Sequence, residues 1–192
     1  MKEHESVGVS ALITAVAASV ARKGVPKWDA NLFGRINDLS DGLLALAWAP
    51  MQAGALAAPL SVAAALAAGH RRTLAARVAA NGVSAWLAAK AVKAIVDRPR
   101  PGQIIDSTRL RTGSADRGLG FPSGHAAVSI ALARDLTLDS PTAVRICAYG
   151  LAFLAGTSRI YVGAHYPLDV VGGWALGWFI GDVRATVVRI TN

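Results

Sequence analysis

Long apolar stretches without a polar face are the feature that most constrains the fold of this chain. Stretches such as PLSVAAALAAG offer no polar stripe to water, whereas a surface helix of a soluble bundle carries one. Hydrophobic residues make up 53% of the 192 residues and charged residues 17%, and the mean hydropathy is +0.40. The pattern predicts an all-α helical bundle of a membrane protein and disfavours the alternative, a soluble bundle with an alanine-rich core.

Six apolar segments are long enough to form helices. They cover residues 6–21, 45–68, 74–96, 123–137, 141–157 and 167–189. Because a membrane-crossing helix needs about 20 residues, we expect a polytopic bundle of about six helices, of which five to six span. The first segment either spans or lies in the interface, and we expect it to be retained because no small-residue cleavage site follows it. Pro50 and Pro59 predict a bend in the second segment.

The charge balance indicates an anionic partner. The formal net charge is +8, but no basic block is interleaved with aromatic residues, so nucleic acid is not an expected partner. The arginines lie between apolar segments, where phosphorylated substrates or anionic lipid headgroups would meet them. Cys147 is the only cysteine, which excludes an internal disulfide and a cysteine-based zinc site.

One long polar connection, residues 97–121, joins the third and fourth segments. If the last four segments each cross the membrane, polar groups from four separate stretches meet on one membrane face. Ionisable residues at membrane depth are usually functional, so we expect the active site at these helix ends. The converging residues are Lys93, Arg98, Arg100, Ser123, His125, Arg159, His165 and Asp169.

The cations and one helix start predict a phosphate-binding site. Ser123 suits an N-cap position and Gly124 permits close backbone approach, and a helix N-terminus offers free N–H groups to an anion. Pro99 and Pro101 would end the third helix and hold Arg100 in an extended segment. The expected phosphate-binding residues are Lys93, Arg100, Ser123, Gly124 and Arg159.

Two histidines predict chemistry at this phosphate. Pro167 suits the first turn of a helix, so Asp169 would reach back to a ring nitrogen of His165. A carboxylate in that position fixes the imidazole tautomer and raises the basicity of the free nitrogen. His125 could protonate the leaving oxygen and then activate water. The expected catalytic residues are His165, His125 and Asp169.

Three motifs occur in order along the chain. They are K-x-x-x-x-x-x-R-P from Lys93 to Pro101, P-S-G-H from Pro122 to His125, and S-R-x-x-x-x-x-H-x-x-x-D from Ser158 to Asp169. The chain resembles the type 2 phosphatidic acid phosphatase superfamily, the integral-membrane lipid phosphate phosphatases, and looks like a minimal bacterial member. The resemblance covers residues 43–189. We therefore divide the chain into an N-terminal helix with a connecting segment, 1–42, and a lipid phosphatase core, 43–192.

The resemblance implies a role for each motif residue. His165 would form a phosphohistidine with Asp169 orienting it, and His125 would act as general acid and then as base. The phosphate-binding residues would stabilise the transferred group without a metal or other cofactor. The resemblance further implies a multi-pass protein of the cell (inner or plasma) membrane, with a phosphorylated lipid and membrane lipids as partners. A homo-oligomer is compatible with the sequence.

Several alternatives stay open. Substrate candidates are phosphatidic acid, phosphatidylglycerol phosphate, polyprenyl diphosphates and polyprenyl-linked sugar phosphates such as polyprenyl-phosphoryl-phosphoribose. A phosphotransferase would use the same nucleophile, and a noncatalytic lipid phosphate transporter or binding protein is the alternative of a different class. Vanadium haloperoxidases are disfavoured by the apolar segments. Lysine and arginine are evenly divided between the two presumed faces, so the positive-inside rule favours neither orientation.

Other polar residues have simpler expected roles. Asp182 and Arg184 are expected at the edge of the last segment, and Ser6→Ala is expected to leave activity unaffected. Four loop arginines that are not fixed positions of the motifs could extend the phosphate site, but they are expected instead to be solvated or to contact headgroups. They are Arg98, Arg109, Arg111 and Arg117.

Overall fold

The computed structural model describes residues 3–115, 117–138 and 140–190, with side chains within residues 6–183. This part of the chain is all-helical, and its only β-type pairing is an isolated bridge between Pro99 and Leu119. Two 3-10 turns, Asp41–Leu43 and Pro101–Gln103, accompany the α-helices. The α-helices are α1 Glu3–Arg22, α2 Lys27–Asn37, α3 Leu44–Gln52, α4 Ala57–Ala68, α5 Arg72–Val96, α6 Gly124–Thr137, α7 Thr142–Tyr161 and α8 Pro167–Ile190.

The described residues contain eight α-helices instead of about six, for two local reasons. The second predicted segment is split into α3 and α4, which meet at a bend of 51°, so the bend expected from its prolines is present. Helix α2 is an additional element that begins directly after Pro26. Its sequence contains no long apolar run, which is why hydropathy did not predict it.

Helix length and surface composition bear on the membrane prediction. Among the described residues, no single helix is long and apolar enough to cross a membrane. Two sharply bent pairs meet that requirement together: Ser6–Arg22 with Lys27–Asn37, bent by 96°, and Asp41–Gln52 with Ala57–Ala68. Large apolar side chains nevertheless point outward, with Leu46 73% and Ile146 67% exposed. Such exposed apolar surface is typical of a protein that contacts lipid or another apolar partner.

Helix α6 is the centre of the bundle and packs against α5, α7 and α8. Small residues allow the closest of these contacts. A Cβ added to Gly173 of α8 would lie 2.4 Å from the carbonyl oxygen of Ser123, and one added to Gly177 would lie 2.2 Å from that of Ala127. Close packing through small residues is common between membrane helices. It sets the beginning of α8 directly beside the beginning of α6.

A buried polar network ties the far part of α8 to its neighbours. Asp182 accepts a hydrogen bond from Ser6 Oγ at 2.6 Å and pairs with Arg134, and Trp178 Nε1 donates to Ser6 Oγ at 2.8 Å. Asp182 was predicted at the edge of the last segment; it lies inside α8, which continues to Ile190, and is 1% exposed. The side chain of Arg184 lies outside the described residues.

Candidate active site

Backbone and side-chain hydrogen bonds bring the three sequence motifs together at one end of the bundle. The N–H of Ser123 donates to the carbonyl of Asp169 at 2.8 Å, and the N–H of Gly120 donates to that of Arg98 at 2.6 Å. Lys93 Nζ donates to the carbonyls of residues 119 and 120 at 2.9 and 2.8 Å. The end of α5, the start of α6 and the start of α8 therefore form one connected unit, as the predicted convergence requires.

The start of α6 is built for an anion. Ser123 has an extended N-cap conformation and its Oγ accepts a hydrogen bond from the N–H of Ala126 at 3.4 Å, which confirms the predicted cap. The N–H groups of Gly124 and His125 lie in the first turn, where no helical carbonyl is available to them. These donors and the positive end of the helix dipole favour a negatively charged ligand.

Lys93, Arg100 and Arg159 form what we call the cationic cradle. Each donates to a neutral acceptor: Arg100 to the carbonyl of Ala164 at 3.0 Å and Arg159 to the carbonyl of Gly113 at 2.7 Å, while Lys93 binds the two carbonyls given above. Within the part of the chain that the structure describes, none of the three pairs with a carboxylate. Burial and then the charge of Arg100 lower the pKa of Lys93 to about 7, and the charge of Asp169 partly opposes this. Sheltered cations without a bonded carboxylate favour a multiply charged anion.

The two catalytic candidates lie beside the cradle. His165 is 3% exposed, in the turn between α7 and α8. Burial lowers the pKa of His165 well below its usual value of 6.5, and the charges of the cradle and of His125 lower it further. Burial, and then the charges of Arg159, Arg100 and Lys93, lower the pKa of His125 to about 3, so the same three charges act on both histidines. The imidazole of His165 is consequently held in its neutral, nucleophilic form.

Asp169 lies one turn into α8, which begins at Pro167 as predicted. Its Oδ2 is 3.4 Å from His165 Nδ1, but the geometry is not that of a hydrogen bond, and Nδ1 has no partner among the described residues. Oδ2 instead accepts a bond from the N–H of Tyr166 at 3.0 Å. The carboxylate is therefore adjacent to the imidazole without a hydrogen bond to it.

Arg98 lies on the face of the site, as the predicted convergence requires, but its surroundings differ from those expected. It was expected to be solvated, but its side chain is 0% exposed and binds Asp169 and Asp29, each at 2.6 Å. Burial alone would lower the pKa of Arg98, but the two carboxylates outweigh burial and raise it. The sequence carried one weak signal, an arginine placed between the end of an apolar helix and Pro99; Asp29 carried none.

The remaining loop arginines differ from one another. Arg111 donates to the carbonyls of Asn37, Leu39 and Tyr161 and to the carboxylate of Asp41, so it fixes the long loop instead of being solvated. The side chain of Arg109 is 51% exposed, in agreement with the prediction. In the described ranges, no three His, Cys, Asp or Glu side chains lie close enough to hold a metal ion.

Comparison with known proteins identifies the family. The sequence profile of the PAP2 superfamily matches residues 60–190, which include all three motifs. The chain belongs to the PAP2 superfamily. The resemblance seen in the motifs is thereby confirmed.

Individual relatives agree with this assignment. The chain is 34% identical to the decaprenylphosphoryl-5-phosphoribose phosphatase of Mycolicibacterium smegmatis over 166 residues, which is 86% of this chain and 81% of the relative. It is 35% identical to the undecaprenyl-diphosphatase of Sulfolobus acidocaldarius over 95 residues, 50% of this chain and 46% of the relative. The latter match thus spans less than half of that protein.

The fold is shared with a solved membrane protein. The crystal structure of the first transmembrane PAP2 type phosphatidylglycerolphosphate phosphatase, from Bacillus subtilis, superimposes with a TM-score of 0.80 over 97% of this chain and 98% of that chain, at 21% identity. The predicted all-α bundle of a membrane PAP2 protein is therefore confirmed as the fold.

Proposed function

We propose that this PAP2 protein is a membrane-embedded phosphatase that hydrolyses the phosphomonoester or diphosphate of a lipid through a phosphohistidine on His165. The observation that carries the proposal is the cationic cradle, which has no carboxylate partner in the described residues and lies beside two histidines. A bound phosphate favours the protonated form of Lys93, and the three cations can then hold the phosphoryl oxygens and stabilise the negative charge of the transition state. A phosphoryl group is the ligand that matches both features.

The first half of the reaction transfers the phosphoryl group to the enzyme. His165 Nδ1 is the ring nitrogen nearest Asp169, so the other nitrogen, Nε2, attacks phosphorus with its lone pair. In the free site, burial and the charges of the cradle lower the pKa of His125 to about 3, and the negative charge of a bound phosphate raises it, so that His125 carries a proton when substrate is present. The bond between phosphorus and the leaving oxygen breaks, and His125 donates this proton to that oxygen. The products are a phosphohistidine and the dephosphorylated lipid. Ser123 and the N–H of Gly124 bind phosphoryl oxygens beside the cradle.

The second half of the reaction restores the enzyme. His125, now neutral, takes a proton from water, and the resulting hydroxide attacks phosphorus. The bond between phosphorus and Nε2 breaks, its electrons return to His165, and inorganic phosphate leaves. The charge that a metal ion supplies in other phosphatases comes here from the cradle, so no metal takes part.

An apolar groove supports a lipid as the substrate. A cavity of about 670 Å³ lies between α1, α5 and α8, beside the turn of α5 that carries Lys93. Its lining is apolar except for Thr14, Ser19, Arg22 and Lys23. We propose that this lipid groove holds the hydrocarbon chain while the phosphate enters the cradle. The protein would act as a multi-pass protein of the cell membrane.

The leading substrate class is a polyprenyl-linked phosphate. The relative named decaprenylphosphoryl-5-phosphoribose phosphatase aligns over 86% of this chain, so its whole bundle and not the motifs alone is shared. Phosphate release should be measured in detergent from polyprenyl-phosphoryl-phosphoribose, a polyprenyl diphosphate and phosphatidic acid, with excess chelator present. We expect release that the chelator does not reduce and that His165→Ala abolishes.

The same assay separates the alternatives. Binding of every lipid phosphate without release of phosphate would identify a binding protein or transporter. If the lipid loses its phosphoryl group and this group appears on an added alcohol instead of as inorganic phosphate, the protein is a phosphotransferase. Loss of activity with chelator would contradict the metal-independent mechanism.

A further inference from the structure

A fully buried chain of charges runs from helix α2 to the start of helix α8. Arg98 Nη1 donates to Asp169 Oδ1 at 2.6 Å, and Arg98 Nη2 donates to Asp29 Oδ2 at 2.6 Å. All three side chains are 0% exposed. Because a guanidinium is planar and rigid, it fixes the relative position of the two carboxylates that it bridges. We call this arrangement the Asp29–Arg98–Asp169 chain.

The second oxygen of each carboxylate is also engaged. Asp29 Oδ1 accepts a bond from the N–H of Leu168 at 2.9 Å, which holds the first turn of α8. Asp169 Oδ2 accepts the N–H of Tyr166 at 3.0 Å and faces His165 Nδ1. The turn that carries His165 is therefore clamped on both sides, by Asp29 through the backbone and by Arg98 through the side chain of Asp169.

The charge of this chain differs from that of an ordinary ion pair. Two carboxylates share one guanidinium, so the Asp29–Arg98–Asp169 chain has a net charge of −1 when all three groups are ionised. Asp169 is consequently not neutralised by its arginine, and it keeps electron density with which to accept the N–H of His165. Buried ion pairs contribute little net stability on average, so fixed geometry is the main advantage of such a chain.

We propose that Arg98 and Asp29 are positioning residues that hold and polarise Asp169, and thereby orient the nucleophile His165. The inference rests on the proposed function, in which His165 attacks phosphorus. It assigns a part of the catalytic site to the N-terminal residues 1–42, which carry no sequence motif. It also separates the two neighbouring arginines, since Arg100 belongs to the cationic cradle and Arg98 acts through Asp169.

The sharpest test is Asp29→Asn. Asparagine keeps the size of the side chain and the oxygen that accepts the N–H of Leu168, but it no longer shares the charge of Arg98. We expect kcat to fall about 10- to 100-fold, the range by which activity falls when the hydrogen-bond partner behind a metal-binding histidine is removed. KM for the lipid should stay within about twofold, because neither residue touches the phosphate.

Asp182→Asn is the matched control, since Asp182 is also a buried carboxylate paired with an arginine, Arg134. It lies 13 positions after Asp169 on the same helix, about 20 Å along the axis at 1.5 Å per residue. The kcat and KM of Asp182→Asn should match those of the wild type. The assay temperature is one at which thermal unfolding curves show that both Asp29→Asn and Asp182→Asn are folded. A purely structural role of Asp29 predicts the same behaviour for both variants.

Arg98→Lys is the second variant, because Arg98→Ala would leave two buried carboxylates unpaired and is expected to prevent folding. A lysine ammonium is a point charge that cannot bridge both carboxylates in a fixed plane. We expect the rate of phosphoenzyme formation, measured by rapid quench with labelled substrate, to fall by the same order as in Asp29→Asn.

The outcomes separate the two proposals. A wild-type protein that releases no phosphate from any lipid phosphate would overturn the proposed function and this inference with it. An active wild type together with wild-type kcat in folded Asp29→Asn and Arg98→Lys would overturn the inference alone. A rise in KM at unchanged kcat would also overturn it, because that result would assign the chain to substrate binding.

Discussion

His165 Nδ1 and Asp169 Oδ2 are 3.4 Å apart in a buried environment, without a hydrogen bond between them. A typical N–H to oxygen bond is about 2.9 Å long, so a small rotation of either side chain would join them. Asp169 is held from the other side by Arg98 and by the N–H of Tyr166. The movable member of the pair is therefore the imidazole, which we expect to close the gap when a phosphoryl group binds.

Asp169→Asn should inactivate the protein without abolishing substrate binding. The amide cannot stabilise the positive charge that develops on His165, and it can present an N–H where the imidazole needs an acceptor. By analogy with a serine hydrolase triad, kcat should fall by about 10³- to 10⁴-fold. Phosphate release and equilibrium binding of the lipid are measured in parallel. Asp38→Asn, at a side chain that is 70% exposed, is the control, and substantial turnover by Asp169→Asn would contradict the orienting role.

The lowered pKa of His165 gives a second prediction. Burial, and then the charges of the cationic cradle and His125, hold this pKa well below 6.5. Near pH 6 the unfolded chain would bind a proton at this residue and the folded chain would not, so acidification through 6.5 lowers the free energy of unfolding. The contribution of neutral His165 to the free energy of unfolding is therefore fully present above pH 6.5 and is lost as the pH falls below this value.

Two measurements check this sign. In histidine-labelled protein, the NMR signal of His165, assigned by comparison with His165→Gln, should not titrate between pH 7.5 and about 6. His165→Gln should lose less stability than the wild type between pH 7 and about 5, as followed by thermal unfolding. If the NMR signal of His165 in the wild type titrates with a midpoint near pH 6.5, the imidazole is not buried in the way that the structure indicates.

The residues that the sequence predicted correctly follow local rules. Helix α5 ends at Val96, shortly before Pro99 and Pro101, Ser123 caps α6, and Pro167 begins α8. Each of these effects depends on a few neighbouring residues. The sequence therefore indicated where the three motifs meet, although the roles of their side chains stay predictions.

The features of the site that the sequence did not predict depend on partners that are distant along the chain. Arg98 is buried because Asp29, 69 positions earlier, and Asp169, 71 positions later, neutralise it together. Arg159 was a predicted site residue, but its partners, the carbonyl of Gly113 and the sulfur of Met51, were not predicted. No spacing rule connects such residues, and an arginine with and without a buried partner looks the same in sequence.

Gly173→Ala should disturb both stability and activity. Its Cβ would lie 2.4 Å from the carbonyl oxygen of Ser123 and 2.8 Å from Ala126 Cβ, so α8 must move away from the start of α6. Because Ser123 caps α6 and Asp169 lies in the first turn of α8, we expect a loss of about 1–3 kcal/mol and a fall in kcat. Gly150→Ala is the matched control, since nothing lies within 4 Å of its added Cβ. Equal activity of the two variants would show that the helices separate without affecting the site.

Ser6→Ala should reduce stability but not activity. The hydroxyl donates to Asp182 and accepts from Trp178 Nε1, so its removal leaves a buried carboxylate short of a donor and an indole N–H without this acceptor. Such losses typically amount to about 1–3 kcal/mol. Thermal unfolding in detergent should show a lower midpoint than in Ser10→Ala, whose hydroxyl bonds only to carbonyls of its own helix. An unchanged midpoint would contradict the importance of this network.

Ala18→Trp tests the lipid groove between α1, α5 and α8. Ala18 lines the groove and is only partly exposed, so an indole there would fill space that we assign to the hydrocarbon chain. We expect KM for a long polyprenyl phosphate to rise about tenfold, which corresponds to about 1.4 kcal/mol of lost binding. Hydrolysis of a short, water-soluble phosphomonoester should not change, because the cradle is untouched.

The control for this variant is Ala65→Trp, at an exposed position of α4 outside the groove. It adds the same side chain to the surface and should leave both substrates unaffected. If Ala18→Trp lowers the turnover of the short and the long substrate equally, the indole has disturbed the cradle through α5 and has not acted by blocking the hydrocarbon chain. If it affects neither, the hydrocarbon chain lies elsewhere on the bundle, because an occupied groove could not accept the larger side chain without loss.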